Sequence, residues 1–453
     1  MKPRILVIGC GIIGAAAIDS LTANNANKDY EICVLDIFPK SMDIKTMRDL
    51  DGTPAVWIPR TRIAGFPGGN LNWGRNSSLV IFNDPDAWDS DFIERIQSIS
   101  ENLVKLGFPR LKLKRLSLEN IEDSFVVREN RKVDTSDLRK TLNSYNALEI
   151  INGYALKIRR LGSKRFQVEF KDPEGIRNFT EVDFILICAG PIGTQELLAN
   201  SEIIRETPSH ILDHPSFKLG TMCYNKVVLA RKGLFGWNRF DRLNDKFCFT
   251  FFDSEKQYLW TMRLFPRDVI GLSKLFSLLP KRLKANQYGT FARELFHGAV
   301  SLISGRILIL GIDLELTVDF LNRKDGLMAA SYSNSTRIEY LGYPFEKIDI
   351  PDGIYTYATK ILTKYKFDSP ELIRFAQVNE IQVGEITSSS HHMSTVMMPL
   401  DMYLDFTEVS QNIHAAGASI FPRTVPGHPT FLGAVTALYA VEKILHKVKT
   451  SLI

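Results

Sequence analysis

Two adjacent histidines, His391 and His392, lie in SSSHHMSTVMMP (residues 388–399) of a chain with eight histidines in 453 residues. Imidazole changes charge near working pH, so a histidine can take a proton from a reacting hydroxyl, ligate a metal, or serve as a satisfied core residue. A metal would need further ligands at suitable spacing, and adjacent residues on a strand point to opposite faces, so the pair does not read as one clamp. His428 is the other candidate. It stands directly before Pro429 and a long helical pattern, FLGAVTALYAVEKILHKV. Proline suits the first helical position, so the positive end of that helix would lie beside His428 and could stabilise negative charge there. Met397 and Met398 read as packing residues, His392 as a structural one, and His214 as a structural residue or a cofactor-side contact.

Groups that exchange protons need something to hold the rest of the reaction, and the N-terminus supplies a candidate. Residues 4–36 read as a short apolar strand, Gly9-x-Gly11-x-x-Gly14, an Ala-rich helix, and a second strand, EICVLD, ending in Asp36. Gly9 permits the tight turn, Gly11 the close approach of backbone to a pyrophosphate, and Gly14 the close packing of helix on strand. The free N–H groups and positive dipole of the helix start, at Ile12 and Ile13, then face the phosphates. Asp36 follows Gly14 by 22 residues and is placed to accept hydrogen bonds from a ribose. The motif reads as a dinucleotide site and leaves FAD and NAD both open.

Further along, AGFPGGNLNWGRNSS (residues 64–78) holds four glycines and three asparagines, a loop able to run close to something flat. Helices are expected at 86–106 and 135–146, and strands at ALEIINGYALKIRR and RFQVEFKD. A second strand–glycine–helix unit is expected at FILICAGPIGTQELLANS, with Pro191 at the helix start. From about 205 to 385 the character changes to aromatic-rich strand candidates, KFCFTFFD and QYLWTMRLF. The last seventy residues return to Gly-rich turns and a long helix.

Distributed along the chain, these segments resemble the glucose-methanol-choline (GMC) family of FAD-dependent oxidoreductases. Gly9, Gly11, Gly14 and Asp36 match its FAD fingerprint, with Asp where Glu is more usual. Gly68 to Gly74 is similar to its flavin-covering Gly-Gly loop. Ala189 to Ser201 resembles its second signature, with Gly193-Thr194-Gln195 for the usual Gly-Ser-Pro, and Asp213-His214-Pro215 resembles the Asp-His-Pro after it. HHMST resembles its His-x-x-Gly-Thr motif, His391 being the aligned histidine and Ser394 replacing the glycine. NIHAAGASIFP resembles the segment that closes on FAD, with Gly417 where many members have Asp, and VPGHPTFLGAVTAL resembles the turn into the final helix.

The resemblance implies an α/β fold: an FAD-binding Rossmann-like (GMC-type) domain from 1–85, 130–204 and 386–453, with an inserted α+β substrate domain built on an antiparallel sheet at 205–385 and residues 86–129 peripheral to it. It implies non-covalent FAD contacted by Gly9, Gly11, Ile12, Ile13, Gly14, Asp36, Gly68, Gly69, Asn70, Asn72, Trp73, Ala155, Ala189, Gly190, Gly193, Gly417, Ala418, His428, Pro429 and Thr430. The implied activity is oxidation of a CH–OH group of an alcohol, sugar or polyol by hydride transfer to flavin N5, with His391 and His428 binding the hydroxyl. The alternatives are an FAD-dependent amine or amino-acid oxidase and a flavin-binding protein diverged from catalysis. The substrate and the electron acceptor are not legible.

Composition bounds the rest. Hydrophobic residues make up 45% and charged residues 24%, an ordinary globular balance long enough for about two to three domains. Five cysteines, with no CxxC pair, read as small buried hydrophobes of a reducing compartment, and no metal is expected. The start MKPRILVIGC imitates a lipoprotein signal, but its apolar run is shorter than the roughly 7–15 residues of a signal core, so a cytoplasmic chain is expected. No uncharged apolar run approaches the roughly 20 residues needed to span a bilayer. Between Pro266 and Arg306, seven basic residues face two acids. That segment reads either as helices covering the substrate domain with a solvated basic face, or as a helix pair in peripheral contact with an anionic membrane. No basic and aromatic array of a nucleic-acid module is present.

Overall fold

The structure, a computed structural model, describes residues 2–25, 29–36, 79–82, 88–106, 108, 110–116, 148–162, 164–204, 210–213, 215–231, 248–253, 255–268, 306–321, 325–331, 338–351, 380–382, 393–394, 396, 407–425 and 429–451. His391, His392, His428, His214, Met397, Met398, the loop from Gly68 to Gly74, the helix expected at 135–146 and most of the basic segment lie outside the described residues.

Three uninterrupted apolar runs form the centre of a six-stranded sheet. These are β1 (Arg4–Ile8), β2 (Glu31–Asp36) and β9 (Phe184–Ile187); β5 (Leu148–Asn152), β20 (Ile413–Ala415) and β19 (Glu408–Ser410) complete the order β19-β20-β9-β1-β2-β5. Strands β20, β9, β1, β2 and β5 are parallel and only β19 runs against them. Parallel strands are covered on both faces, which is why they carry no alternation of polar residues. Alternate side chains divide between two cores. Ile5, Val7, Cys33-adjacent Ile32 and Val34 join Ile18, Leu21, Ala437 and Val441 on one face, while Leu6, Ile8, Ile185 and Ile187 join Leu197 and Leu198 on the other.

The helices follow from the same logic. Helix α1 (Ile12–Ala23) is Ala-rich and packs against α4 (Pro429–Ser451), burying Ala15, Ala16 and Ala17. Helix α2 (Ser90–Lys105) is capped by Asp89, which accepts the Phe92 N–H at 2.9 Å, and buries Phe92, Ile96, Ile99 and Leu103 along one stripe. It too docks on α4, where the Tyr439 hydroxyl donates to Asp91 at 2.7 Å and the Phe92 and Tyr439 rings meet edge-on with centroids 5.3 Å apart. Helix α3 (Gly190–Asn200) has Pro191 in its first turn, as its sequence leads one to expect.

Beside the parallel sheet, β6 (Tyr154–Arg160), β7 (Phe166–Lys171) and β8 (Arg177–Val182) form an antiparallel meander. The aromatic-rich strands fall where the sequence places them, at β12 (Cys248–Asp253) and β13 (Tyr258–Asp268). They join β11 (Ser216–Arg231) and β14 (Arg306–Phe320) in a four-stranded antiparallel sheet ordered β11-β14-β13-β12. Smaller pairings complete the described chain: β3 (Val80–Phe82) with β4 (Lys114–Leu116), β10 (His210–Ile211) with β15 (Leu327–Ser331) and β16 (Ile338–Gly342), and β17 (Lys347–Asp349) with β18 (Glu380–Gln382). The fold class is α/β, with a dinucleotide-type parallel sheet and a separate antiparallel sheet. Among the described residues no helix is long and apolar enough to cross a membrane.

Candidate functional site

Parallel strands leave their carboxyl ends on one edge, and β1 has β2 on one side and β9 on the other. The crevice outside those ends, where the connections diverge, is where doubly wound sheets take ligands. The Gly9 loop after β1, Asp36 closing β2, Cys188-Ala189-Gly190 after β9 and Ala416-Gly417 after β20 all open onto this edge.

Backbone geometry shows why the glycines are needed. Gly9 has φ +94°, and a methyl group on it would lie 2.5 Å from the Cys188 carbonyl oxygen; one on Gly14 would lie 1.9 Å from the Gly9 carbonyl oxygen. The loop, the start of α1 and the end of β9 are therefore in contact with no space for a side chain. Gly11 is the N-cap of α1, whose first turn has neither a side-chain cap nor an acid, so its N–H groups are left for an anion. Helix α3 begins in the same state after β9, with no side-chain cap and no first-turn acid.

Asp36 does more than face outward. Its Oδ2 accepts the Cys10 N–H at 2.5 Å, and its own carbonyl accepts the Gly153 N–H at 3.0 Å. The carboxylate thus braces the glycine loop from the neighbouring strand, and the chain passes from Gly153 directly into β6, which carries Ala155 and packs on α3. Burial and the nearby Asp36 push the Cys10 thiol up to about 12. Burial raises the Cys188 thiol as well. Both stay protonated, so neither supplies a thiolate nucleophile.

The Gly417 position answers a question its sequence raised. Gly417 has φ +91° and ψ −167°, a region essentially restricted to glycine. Its N–H donates to Thr436 Oγ1 at 2.9 Å, and a methyl group there would lie 3.2 Å from Ile13 Cδ1. An aspartate, found here in many members of the family the sequence resembles, does not suit this backbone. Ala418 follows in a short 3₁₀ turn, Ala418–Ile420.

Two further segments are pinned to that turn. Met393 exchanges backbone hydrogen bonds with Leu212 at 2.7 and 3.1 Å, Ser394 N donates to Ala418 O at 2.9 Å, and Val396 N donates to Ser419 O at 2.9 Å. Ser394 Oγ also donates to the Phe421 carbonyl. The stretches before Asp213, after His392 and after Gly417 therefore meet at one place. Beyond Phe421, the fully buried Thr424 donates its hydroxyl to the buried Asp319 of β14 at 3.0 Å, and Val318 N donates to Pro215 O at 3.1 Å. The first bond ties the segment after β20 to the antiparallel sheet, and the second extends the β11–β14 ladder.

Of the residues singled out from sequence, Gly9, Gly11, Ile12, Ile13, Gly14, Asp36, Ala155, Ala189, Gly190, Gly193, Gly417, Ala418, Pro429 and Thr430 lie within the described chain. Gly9, Gly11, Ile12, Ile13, Gly14, Asp36, Ala189, Gly190, Gly417 and Ala418 lie at or just after the carboxyl ends of β1, β2, β9 and β20 or open α1, while Ala155 lies on β6, Gly193 in α3, and Pro429 and Thr430 open α4. His391, His428, Gly68, Gly69, Asn70, Asn72 and Trp73 lie outside the described chain. Sequence reasoning did not single out Thr436, which holds Gly417, or Gly433, where a methyl group would meet Ile13 Cδ1 at 2.9 Å. The signal was present: a glycine inside a helix costs stability and marks close packing. It also missed Thr194 and Gln195 of α3, both fully buried, whose side-chain oxygen and nitrogen atoms have no hydrogen-bond partner among the described residues. Buried polar atoms are rarely left so, and they lie in the helix that opens at Gly190. Among the described residues no group of three His, Cys, Asp or Glu is placed to hold a metal.

No family model matches the sequence, and no curated protein matches it. Solved structures do. The chain is similar in fold to pyridoxine 4-oxidase from Mesorbium loti, with 12% identity and a TM-score of 0.51 over 98% of this chain and 99% of that one. Weaker likenesses are to the formate oxidase of Aspergillus oryzae (10% identity, TM-score 0.47, 99% of each chain) and to a fungal aryl-alcohol oxidase (10% identity, TM-score 0.44, 98% of this chain and 99% of that one). At 12% identity the likeness to pyridoxine 4-oxidase establishes a shared fold and no more.

Proposed function

We propose that the chain is a GMC-type, FAD-dependent oxidoreductase that oxidises a CH–OH group. The observation that carries this reading is the convergence, on one sheet edge, of the glycine loop, Asp36, the Ala189-Gly190 turn and the Gly417-Ala418 turn, with the segment after His392 bonded to that last turn. The residues fit the cofactor: a pyrophosphate suits the uncapped start of α1 and the side-chain-free cradle of Gly9 and Gly14, and a ribose suits Asp36. Pyridoxine 4-oxidase, to which the chain is similar in fold over 98% of its length, is by its name an oxidase.

When bound, the flavin supplies the acceptor for a hydride from the carbinol carbon. The chain's own residues hold and deprotonate the substrate. His391 takes the hydroxyl proton and His428 is its hydrogen-bonding partner, each having a side chain whose ordinary pKa lies near working pH. The start of α4 at Pro429 sets a positive helix end beside His428. FAD is held without a covalent bond, in a chain expected to be cytoplasmic.

The test is an anaerobic panel of alcohols, sugars and amines, read by bleaching of the bound flavin. Purified protein is expected to carry flavin that acid precipitation releases, and an alcohol is expected to bleach it. Protein that neither carries nor takes up flavin refutes the reading, and bleaching by amines alone transfers the chain to the amine oxidases. Within an active protein, His391→Ala should retain flavin and lower the rate of reduction by about 10²-fold or more; a parental rate would remove His391 from the mechanism.

A further inference from the structure

Ser394 occupies a backbone conformation that serine rarely adopts. Its φ is +56°, in the left-handed region, and it is buried with 1% of its surface exposed. Glycine would fit there without strain, and glycine is what the resembling motif has at this place. The serine brings a hydroxyl, and that hydroxyl donates to the main-chain carbonyl of Phe421. Its N–H donates to Ala418 O at 2.9 Å and Val396 N donates to Ser419 O at 2.9 Å. Three hydrogen bonds from two positions of one segment, two from Ser394 and one from Val396, thus grip Ala418, Ser419 and Phe421. The grip is directional: without the hydroxyl, the carbonyl closing the turn loses its partner while the other two bonds remain.

The gripped turn directly follows Gly417, whose N–H is fixed from the other side by Thr436. The chain leaving the turn runs to Thr424, which reaches Asp319 of the antiparallel sheet. On the far side of Ser394, Met393 is paired with Leu212. Ser394 is therefore the crossing point between the turn that opens onto the sheet edge and the segment that joins both sheets. Strained residues of this kind persist where the surrounding structure over-determines them, and they concentrate at ligand sites.

We propose that Ser394 is a positioning residue: its hydroxyl sets the path of the Gly417–Phe421 turn, and thereby the fit of FAD against Gly417 and Ala418. This rests on the flavin reading given above, and it adds a residue whose effect passes through the turn and not through contact with the cofactor.

Three variants separate positioning from stability. Ser394→Gly removes the hydroxyl and the backbone strain together, Ser394→Ala removes the hydroxyl and keeps the strain, and Ser394→Thr keeps the hydroxyl while a β-branched side chain increases the strain. Apo protein is titrated with FAD, the visible spectrum of the bound flavin is recorded, and thermal stability is measured in parallel. Ser394→Gly is expected to melt at or above the parental temperature yet bind FAD roughly tenfold more weakly, with a shifted flavin spectrum. Ser394→Thr is expected to melt lower and to bind within about threefold of the parent at a temperature where it is folded. Ser394→Ala should be impaired in both respects. The inference is overturned if Ser394→Gly binds FAD like the parent with an unchanged spectrum, or if affinity merely follows melting temperature across the set. Parental protein that binds FAD while Ser394→Gly is indifferent leaves the flavin reading standing and removes this one; parental protein that binds no FAD removes both.

Discussion

Replacing Gly14 by alanine tests the cofactor site through one atom. The added methyl group would stand 1.9 Å from the Gly9 carbonyl oxygen and 3.0 Å from its carbon, and both are backbone atoms that cannot rotate away. Helix α1 must therefore retreat from β1 by about 1 Å or more, since non-bonded carbon and oxygen do not approach below about 3 Å. Its other face is packed on α4, so the movement also overpacks that contact, at a cost of about 1–3 kcal/mol. The retreat draws the first-turn N–H groups away from where the phosphates of the proposed FAD would lie. Hydrogen bonds to a charged group are worth about 1.5–3 kcal/mol each, and losing the equivalent of one weakens FAD by roughly 10- to 100-fold. Gly162→Ala is the control, because Gly162 has φ +88° but nothing within 4 Å of the added atom. It should lose about 1–2 kcal/mol of stability from the backbone conformation alone and leave FAD affinity unchanged. Fluorescence titration of the apo proteins and denaturant unfolding give the two quantities. If Gly14→Ala binds FAD within about threefold of the parent, the close packing of α1 on the glycine loop is not what forms the site.

Other perturbations act on single bonds. Asp36→Asn keeps an oxygen able to accept the Cys10 N–H but loses the charge, and should weaken FAD by roughly tenfold, while Asp36→Ala also frees the loop and should weaken it further; equal affinities for parent and Asn variant would remove the carboxylate from the site. His414 is fully buried on β20, with Nδ1 at 3.2 Å from Thr407 Oγ1, and burial together with Lys447 and Lys443 lowers its pKa to about 3. Because the folded pKa lies below the ordinary value of about 6.5, the unfolded chain takes up this proton first, so stability falls with pH from about 6.5 down to about 3, by up to about 1.4 kcal/mol per pH unit. The neighbouring Glu408 is paired with Lys447, and His414→Gln should flatten the acid limb of a denaturation midpoint series; an unaltered limb would assign the acid sensitivity elsewhere.

The parts of the molecule that declared themselves in sequence are those whose residues are dictated by local geometry. A buried parallel strand must be apolar on both faces, and a helix start that approaches a phosphate must lack side chains, so β1, α1, β2 and β9 with Gly9, Gly11 and Gly14 could be read directly. The amphipathic stripe of α2 and the aromatic strands β12 and β13 were legible for the same reason. The two long strands β11 and β14 were not. Thr317 and Asp319 of β14 are buried as deeply as Leu316 and Val318, so polarity does not alternate with burial, and what satisfies Asp319 is Thr424, 105 residues away. Likewise Thr436 and Ser394 act on main-chain groups of distant segments, Gly417 and Phe421, a role that spacing along the chain cannot reveal.

The departures from the resembling family make physical sense once the turn at Gly417–Phe421 is considered as a unit. Gly417 stands where an acid is common and Ser394 where a glycine is common; the first opens the turn and the second is hydrogen-bonded to its last residue, Phe421. With glycine at 417, the turn loses a side chain that could have anchored it and gains a backbone with more freedom to move. Thr436 from α4 and the Ser394 hydroxyl from the facing segment restrain that freedom from either side. Two substitutions that seem in isolation to weaken the site therefore compensate, because one loosens the turn that the other fastens. Such a pair should couple in a double-mutant cycle: removing the Ser394 hydroxyl should cost less FAD affinity where the turn is fastened in another way than in the parent.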